Sequence, residues 1–260
     1  AYEIPKRDWS SDVCSSDLST TYYDLSKPFP CDEELNFYLE KLKGIRGKIL
    51  EPMCGSGRFL FPFLEAGFDI DGFDTSPEML NALQYRLQKS AKRPQISNCN
   101  FEGFHPDITY EAIIIPSGSF GLLRDSQQAI IAIEKIYEWL KPGAHCILEI
   151  DTWESRPNEG PWTGEALEIS ATEKISLEGI VFHTPIGYDN KIVYRNFLNE
   201  LVIEEESELF QMRLYSESQF KELIDASSFG NLNILHSYKS STANMPLNGS
   251  FIAILTKEPF

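Results

Sequence analysis

The chain has 260 residues, of which 42% are hydrophobic and 24% charged. That suits one α/β domain with an elaboration, or two small domains, with a sizeable core. The formal net charge of −16 argues against nucleic acid as a partner, because phosphate binding rests on clustered Lys and Arg. No apolar run approaches the roughly 20 residues of a membrane span, and residues 1–6 are polar where a signal peptide would need an apolar stretch. The cysteines Cys14, Cys31, Cys54, Cys99 and Cys146 are odd in number and widely spaced. That indicates neither a zinc site nor a disulfide framework, and fits a reduced, cytoplasmic setting.

In chain order, residues 8–18 show neither helical nor strand period. They resemble the translation of a short-read sequencing adapter and read as foreign to the protein, so Trp9 and Cys14 should carry no function. Residues 1–21 are expected to be a disordered or artefactual leader. Asp32 is placed as an N-cap, followed by helical spacing at Leu35, Tyr38, Leu39 and Leu42 up to Gly44. Residues 48–53 read as a strand entering a Gly-rich turn. Phe59, Leu60, Phe63 and Leu64 form the next helix, and residues 69–74 a second strand. Ser76 caps a helix with Pro77 at its first position. Residues 96–101, 111–116 and 144–151 supply strands three to five. The fourth is apolar from Ala112 onward, as a strand covered on both faces must be. A helix from Ala129 to Leu140 separates the last two. This alternation predicts a doubly wound, mostly parallel sheet.

The pattern then changes. Residues 152–163 read as a loop. Residues 164–214 carry short β-branched and aromatic runs with a turn signal at Asp189-Asn190, which predicts an antiparallel β insertion after strand five. A helix over 216–228 and strands over 232–238 and 250–256 complete a seven-stranded sheet. The expected division is 22–155 with 214–260 as core, and 156–213 as insertion.

The chemistry concentrates in Glu51-Pro52-Met53-Cys54-Gly55-Ser56-Gly57-Arg58. A strand, a tight Gly turn and a helix bring a ligand close to backbone and to a helix N-terminus. Asp74 ends the next strand 17 residues after Gly57, which suits a carboxylate receiving two ribose hydroxyls.

These residues resemble the class I S-adenosylmethionine-dependent methyltransferases. Glu51, Gly55 and Gly57 match the first motif, with Met53 replacing its first Gly, so the turn is expected to differ slightly there. The segment around Asp74, Thr75 and Met79 matches the second. The resemblance implies a Rossmann-like fold and S-adenosyl-L-methionine as cofactor. It implies that Glu51 holds the methionine amino group, Gly55 and Gly57 shape the turn beside Met53 and Arg58, and Asp74 takes the ribose. Thr75 and Met79 would flank adenine, while Asn100 and the Phe101 backbone N–H would bind its edge. Pro116, Ser117 and Phe120 lie where the cleft is expected, and Tyr22 or Tyr23, with Tyr23 preferred, would close over it. The sulfonium is cationic, so the acidic field of the protein does not oppose it.

After strand four, enzymes acting on nucleobase amines or protein glutamines carry Asn-Pro-Pro-Tyr. This chain has Pro116-Ser117-Gly118-Ser119-Phe120, closer to small-molecule enzymes. The expectation is methyl transfer to O, N or C of a small acceptor, with no membrane and a possible homodimer. An RNA or protein methyltransferase and a non-catalytic cofactor-binding protein are the rivals; the turn itself is similar to that of certain RNA guanine methyltransferases. Trp153, Trp162 and Arg213 are candidate cavity walls. His183 and His236 are weak candidates for a base, and His145 reads as structural. No catalytic residue is assigned, because in-line displacement needs positioning first and a base only if the nucleophile must lose a proton.

Overall fold

The computed structural model describes residues 17–88, 90–238, 247 and 249–259. The adapter-like residues up to 16, with Trp9 and Cys14, lie outside the described residues. The chain begins with two helices, α1 (Asp17–Ser26) and α2 (Asp32–Lys41), and then alternates β1 (Ile49–Pro52), α3 (Leu60–Glu65), β2 (Ile70–Asp74), α4 (Pro77–Leu87), β3 (Ile96–Asn98), β4 (Tyr110–Ile115), α5 (Ser126–Trp139) and β5 (Leu140–Asp151). There follow β6 (Gly160–Thr163), β7 (Leu167–Glu168), β8 (Glu173–Thr184), β9 (Gly187–Leu198) and β10 (Leu201–Arg213). Then α6 (Glu217–Asp225), β11 (Asn231–Leu235) and β12 (Ser250–Thr256) close the chain.

The first sheet has seven strands in the order β11-β12-β5-β4-β1-β2-β3. β1 to β5 are parallel, and β12 runs antiparallel between β5 and β11. Alternation along each central strand feeds two cores. Ile113 and Ile115 of β4 join Cys146, Leu148 and Ile150 of β5 on the face covered by α5 and α6. Ala112 and Ile114 face the other way, with Ile49, Phe63 and Leu83 under α2, α3 and α4. All four β4 residues are fully buried, and complete burial of an aliphatic side chain stabilises by about 1.5–3 kcal/mol. That explains the unbroken apolar run of β4.

The second sheet, β10-β9-β8-β6 with β7 on β8, is wholly antiparallel. Its β8–β9 hairpin turns at residues 185–186, inside the pair Thr184 and Gly187, rather than at Asp189-Asn190. Gly187 packs on β10, where a Cβ would collide with the Met212 carbonyl, and this fixes the register. Asp189 and Asn190 are strand residues whose side chains accept from Arg124 Nη1 (2.7 Å) and Trp162 Nε1 (2.8 Å). The β9–β10 turn is Asn199-Glu200, both at positive φ, the two-residue conformation that suits strand twist.

Three further expectations are corrected. Helix α1 starts at Asp17, so residues 17–21 belong to the fold; Leu18 is buried in a cluster with Ile175, Leu177, Ile192 and Tyr194. Helix α2 begins at Asp32 itself, with Cys31 as its extended N-cap residue. This puts Asp32, Glu33 and Glu34 in the first turn, favourable to the helix dipole. β5 starts at Leu140, directly after α5. Among the described residues no helix is long and apolar enough to cross a membrane.

Candidate functional site

The carboxyl ends of β1, β2, β4 and β5 meet at one edge of the first sheet, and the Gly-rich turn after β1 crosses it. Cys54 N–H donates to the Phe73 carbonyl (3.1 Å), tying the turn to β2. Asp74 then fastens both neighbours: Oδ2 accepts from Gly55 N–H (2.8 Å) and Oδ1 from Ser76 N–H (2.9 Å). These two bonds take two of the carboxylate's roughly four acceptor sites. Burial raises the Asp74 pKa, and the amides of Ser76, Gly55 and Thr75 hold it back.

The turn uses left-handed backbone at Met53 (φ 59°), Gly55 (φ 51°) and Gly57 (φ 80°). Met53 thus adopts a left-handed conformation that glycine would favour. A non-glycine pays about 1–2 kcal/mol for this. At Gly57 a Cβ would run into Leu83 Cδ1, so close packing of turn on α4 also demands glycine. Met79 Sδ lies beside Gly55, 3.9 Å from where a Cβ would stand, and Thr75 is exposed at the rim.

Glu51 is buried beneath the turn, and its Oε2 has no hydrogen-bond partner among the described residues. Burial drives its pKa well up, and nearby Asp74 adds to this, against Arg58 and the Leu60 amide. A buried acceptor without a donor is costly, and a cationic ammonium is the donor it suits.

Tyr22 and Tyr23 are separated by α1. Tyr22 Oη donates to the Glu165 carbonyl (2.8 Å) and its ring meets Tyr194 of the second sheet. The Tyr23 hydroxyl lies among Arg58, Glu51 and Asp24, and burial raises its pKa. Ser56 Oγ donates to Asp24 of the same helix.

Arg58 does not point at the turn. Its Nη2 meets Glu34 Oε2 (3.0 Å) and its Nη1 donates to Ser117 Oγ (2.8 Å), while Ser117 Oγ donates to Glu34 Oε1 (3.0 Å). It therefore clamps α2 onto the loop after β4. Pro116 is buried at the end of β4, and Ser117 and Gly118 follow at φ 57° and 69°. Ser117 N–H donates to Glu149 Oε2 (3.1 Å). Phe120 is a correction: it is fully buried against Tyr215 and Phe220, a core residue rather than a cleft wall. Asn100, exposed after β3, accepts from Gly103 N–H through Oδ1 (2.9 Å). The Phe101 ring packs on Phe73 and Trp139 in the core, which leaves only its backbone for a ligand.

The remaining candidates are engaged elsewhere. Trp162 binds Asn190, Arg213 donates to the Arg124 carbonyl (3.0 Å) and Ser126 Oγ (2.8 Å), and Trp153 Nε1 reaches Gln219 (3.3 Å). His183 Nε2 meets the Pro157 carbonyl (2.8 Å), His236 lies 3.7 Å from Glu217, and His145 sits within β5. Sequence reasoning missed Glu34, Glu149, Asp151 and Tyr238. Glu149 accepts from Tyr238 Oη (2.8 Å) and Ser250 Oγ (3.0 Å) besides Ser117. The one available signal was a pair of acids, Glu149 and Asp151, ending an otherwise apolar strand.

A family model described as a methyltransferase domain matches residues 49–143. YqeM of Bacillus subtilis (strain 168), named as a candidate methyltransferase, is 26% identical over 137 residues, 51% of this chain and 53% of that protein. The chain thus spans about half the length of this curated relative. Among solved structures, an S-adenosylmethionine-dependent methyltransferase from Clostridium acetobutylicum ATCC 824 superposes with TM-score 0.75 at 14% identity, covering 92% of this chain and 97% of that one. The sugar N-methyltransferase KedS8 from Streptoalloteichus sp ATCC 53650 gives TM-score 0.76 at 14% identity over 99% of both chains. The amino pentose methyltransferase CalS10 from Micromonospora echinaspora, solved with S-adenosylmethionine bound, gives 0.69 at 14% identity over 91% of this chain and 95% of that one.

Proposed function

We propose that this chain, whose residues 49–143 match a methyltransferase-domain model, is a class I S-adenosylmethionine-dependent enzyme that transfers the methyl group of that cofactor to a small-molecule acceptor. The observation that carries the reading is the turn at residues 53–57, held in left-handed backbone between the donor-less Glu51 Oε2 and the Asp74 carboxylate. The residues present fit the cofactor. Glu51 would meet its methionine ammonium, directly or through water, and Asp74 would receive the ribose hydroxyls on its free lone pairs. Met79 and Thr75 would flank the adenine, with Asn100 and the Phe101 amide at its edge and Tyr23 over the turn. Bound there, S-adenosylmethionine supplies a methyl carbon activated by sulfonium for in-line displacement. The protein's part is to exclude water and hold the acceptor in line, a source of effective molarities of order 10⁵ M or more.

A small acceptor is favoured by the net charge of −16 and by Ser117-Gly118-Ser119 in place of Asn-Pro-Pro-Tyr. The likeness to KedS8 and CalS10, which act on sugars, extends over nearly the whole chain and supports the same reading. The second sheet, within residues 156–213, would wall the acceptor side and set its choice.

Calorimetry with S-adenosylmethionine tests the site. Asp74→Ala removes a charged acceptor worth roughly 1.5–3 kcal/mol per contact, so affinity should fall about ten- to hundredfold. An unchanged dissociation constant removes Asp74 from the site, and no binding by the unaltered protein removes the function.

A further inference from the structure

Asp151 ends β5 beside the loop after β4, and its carboxylate has a setting unlike its neighbours'. The Glu34 carboxylate is met by Arg58 and Ser117, and that of Glu149 by Ser117 N–H, Tyr238 and Ser250. Among the described residues no donor meets the side chain of Asp151, although its main-chain carbonyl accepts from Tyr215 N–H (3.1 Å). The carboxylate lies flat against Gly118: a Cβ there would stand 2.5 Å from Oδ2 and 2.8 Å from Oδ1. Gly118 therefore does more than allow the left-handed turn. It opens the place in which the Asp151 head group sits, one residue from Ser117 and the Arg58 clamp. The titratable groups around it are Glu149 on its own strand, Lys27 just beyond α1, and Tyr188 of β9, whose pKa is pushed up to about 12 by burial and by Asp151. The β4 loop adds none. Lys27 is exposed and acts through space. The carboxylate is thus half-buried, not neutralised, and lies between the expected cofactor edge and the second sheet.

Resting on the methyl-transfer reading, we propose that Asp151 binds a protonated amine acceptor and takes its proton, making the protein an N-methyltransferase. The ammonium N–H breaks, its proton passes to Asp151 Oδ, and its electron pair remains on nitrogen. That pair forms the N–C bond to the methyl carbon as the C–S pair returns to sulfur. The positive charge moves from sulfur to nitrogen, and Asp151 releases its proton to solvent. Chemistry selects nitrogen over oxygen. Burial and Glu149 raise Asp151 to about 6. An alkylammonium near 10 lies roughly four units away, whereas a hydroxyl near that of water at about 16 lies about ten units away, beyond a carboxylate's reach.

The test uses the full chain and Asp151→Asn, which keeps the shape against Gly118. With S-adenosylhomocysteine bound, calorimetry compares glucosamine with glucose and benzylamine with benzyl alcohol. The unaltered protein should bind at least one amine about tenfold more tightly than its hydroxyl counterpart, and Asp151→Asn should erase that preference without changing the dissociation constant of S-adenosylhomocysteine. For the amine that is methylated, kcat/KM should drop about a hundredfold or more; the unaltered protein should lose activity below about pH 6, and in the variant that break should vanish, leaving a rate that rises steadily with pH toward the amine's own pKa near 10. The proposal is overturned if neither amine is preferred, if the variant keeps the preference, or if its break near pH 6 persists. Failure of the unaltered protein to bind S-adenosylhomocysteine would instead overturn the methyl-transfer reading.

Discussion

The two sides of the cleft are built by different means. Around residues 53–57 the site is backbone: left-handed turns, amides on Asp74 and a glycine packed on Leu83. Around Asp151 it is side chains contributed by β5, the β4 loop and β9, which are remote in sequence. The first kind of site fixes a ligand common to many reactions and permits few substitutions. The second can be re-cut one side chain at a time, so acceptor choice can drift while the cofactor side stays constant.

The backbone side should break most sharply. Gly57→Ala combines a left-handed φ of 80° with overlap on Leu83. Together these cost about 2–4 kcal/mol, a melting temperature lower by about 5–15 °C. Gly44→Ala, also at positive φ but with nothing within 4 Å of its Cβ, should lose only the conformational part. Equal losses at the two positions would show that contact with α4 is irrelevant.

A smaller effect is expected where α1 meets the second sheet. A chain beginning at Ser19 loses Leu18, which is buried in the second-sheet cluster and whose N–H donates to Glu206 Oε2 (3.1 Å). Compared with one beginning at Asp17 it should be about 2 kcal/mol less stable in urea titration. Equal midpoints would place Leu18 outside the cooperative core.

The smallest effect is a pH dependence. Glu208 accepts from Tyr194 Oη (3.2 Å), and burial, with Glu206 adding, raises its pKa from 4.5 to about 7. The folded state therefore holds a proton that the unfolded chain has released. This stabilisation is complete below about 4.5 and is lost as pH rises through about 7. Glu208→Gln should shrink the fall in melting temperature between pH 5 and pH 8 by a few degrees; an unaltered fall would assign it to other groups.

How much of this was legible follows the same division. The strands and the Gly turn declare themselves locally, through the apolar run 112–115 and through Gly55, Gly57 and Asp74. Met53 does not announce its left-handed φ in sequence, because the turn it sits in imposes it. Glu34 is indistinguishable in Asp32-Glu33-Glu34; only the rotation of α2 turns it inward to Arg58. Phe120 follows the β4 loop closely enough to suggest the cleft, yet α6 and Tyr215 bury it. Asp151 depends on what lies across from it, and neither Gly118 nor Tyr188 is marked by spacing. The start of α1 was hidden because its apolar partner, the second sheet, lies more than 150 residues away in sequence.

Helix α1 touches both sheets. Leu18 enters the cluster of β8 and β9, while Asp24 meets Ser56 of the Gly turn and Arg86 of α4 (2.9 Å). A helix of ten residues is marginal alone in water, so α1 persists only while both surfaces are in place. Loss of either sheet releases it and withdraws its contacts from the other. The two sheets are thereby coupled in free energy, and the molecule should melt in a single transition, with calorimetric and van't Hoff enthalpies in agreement.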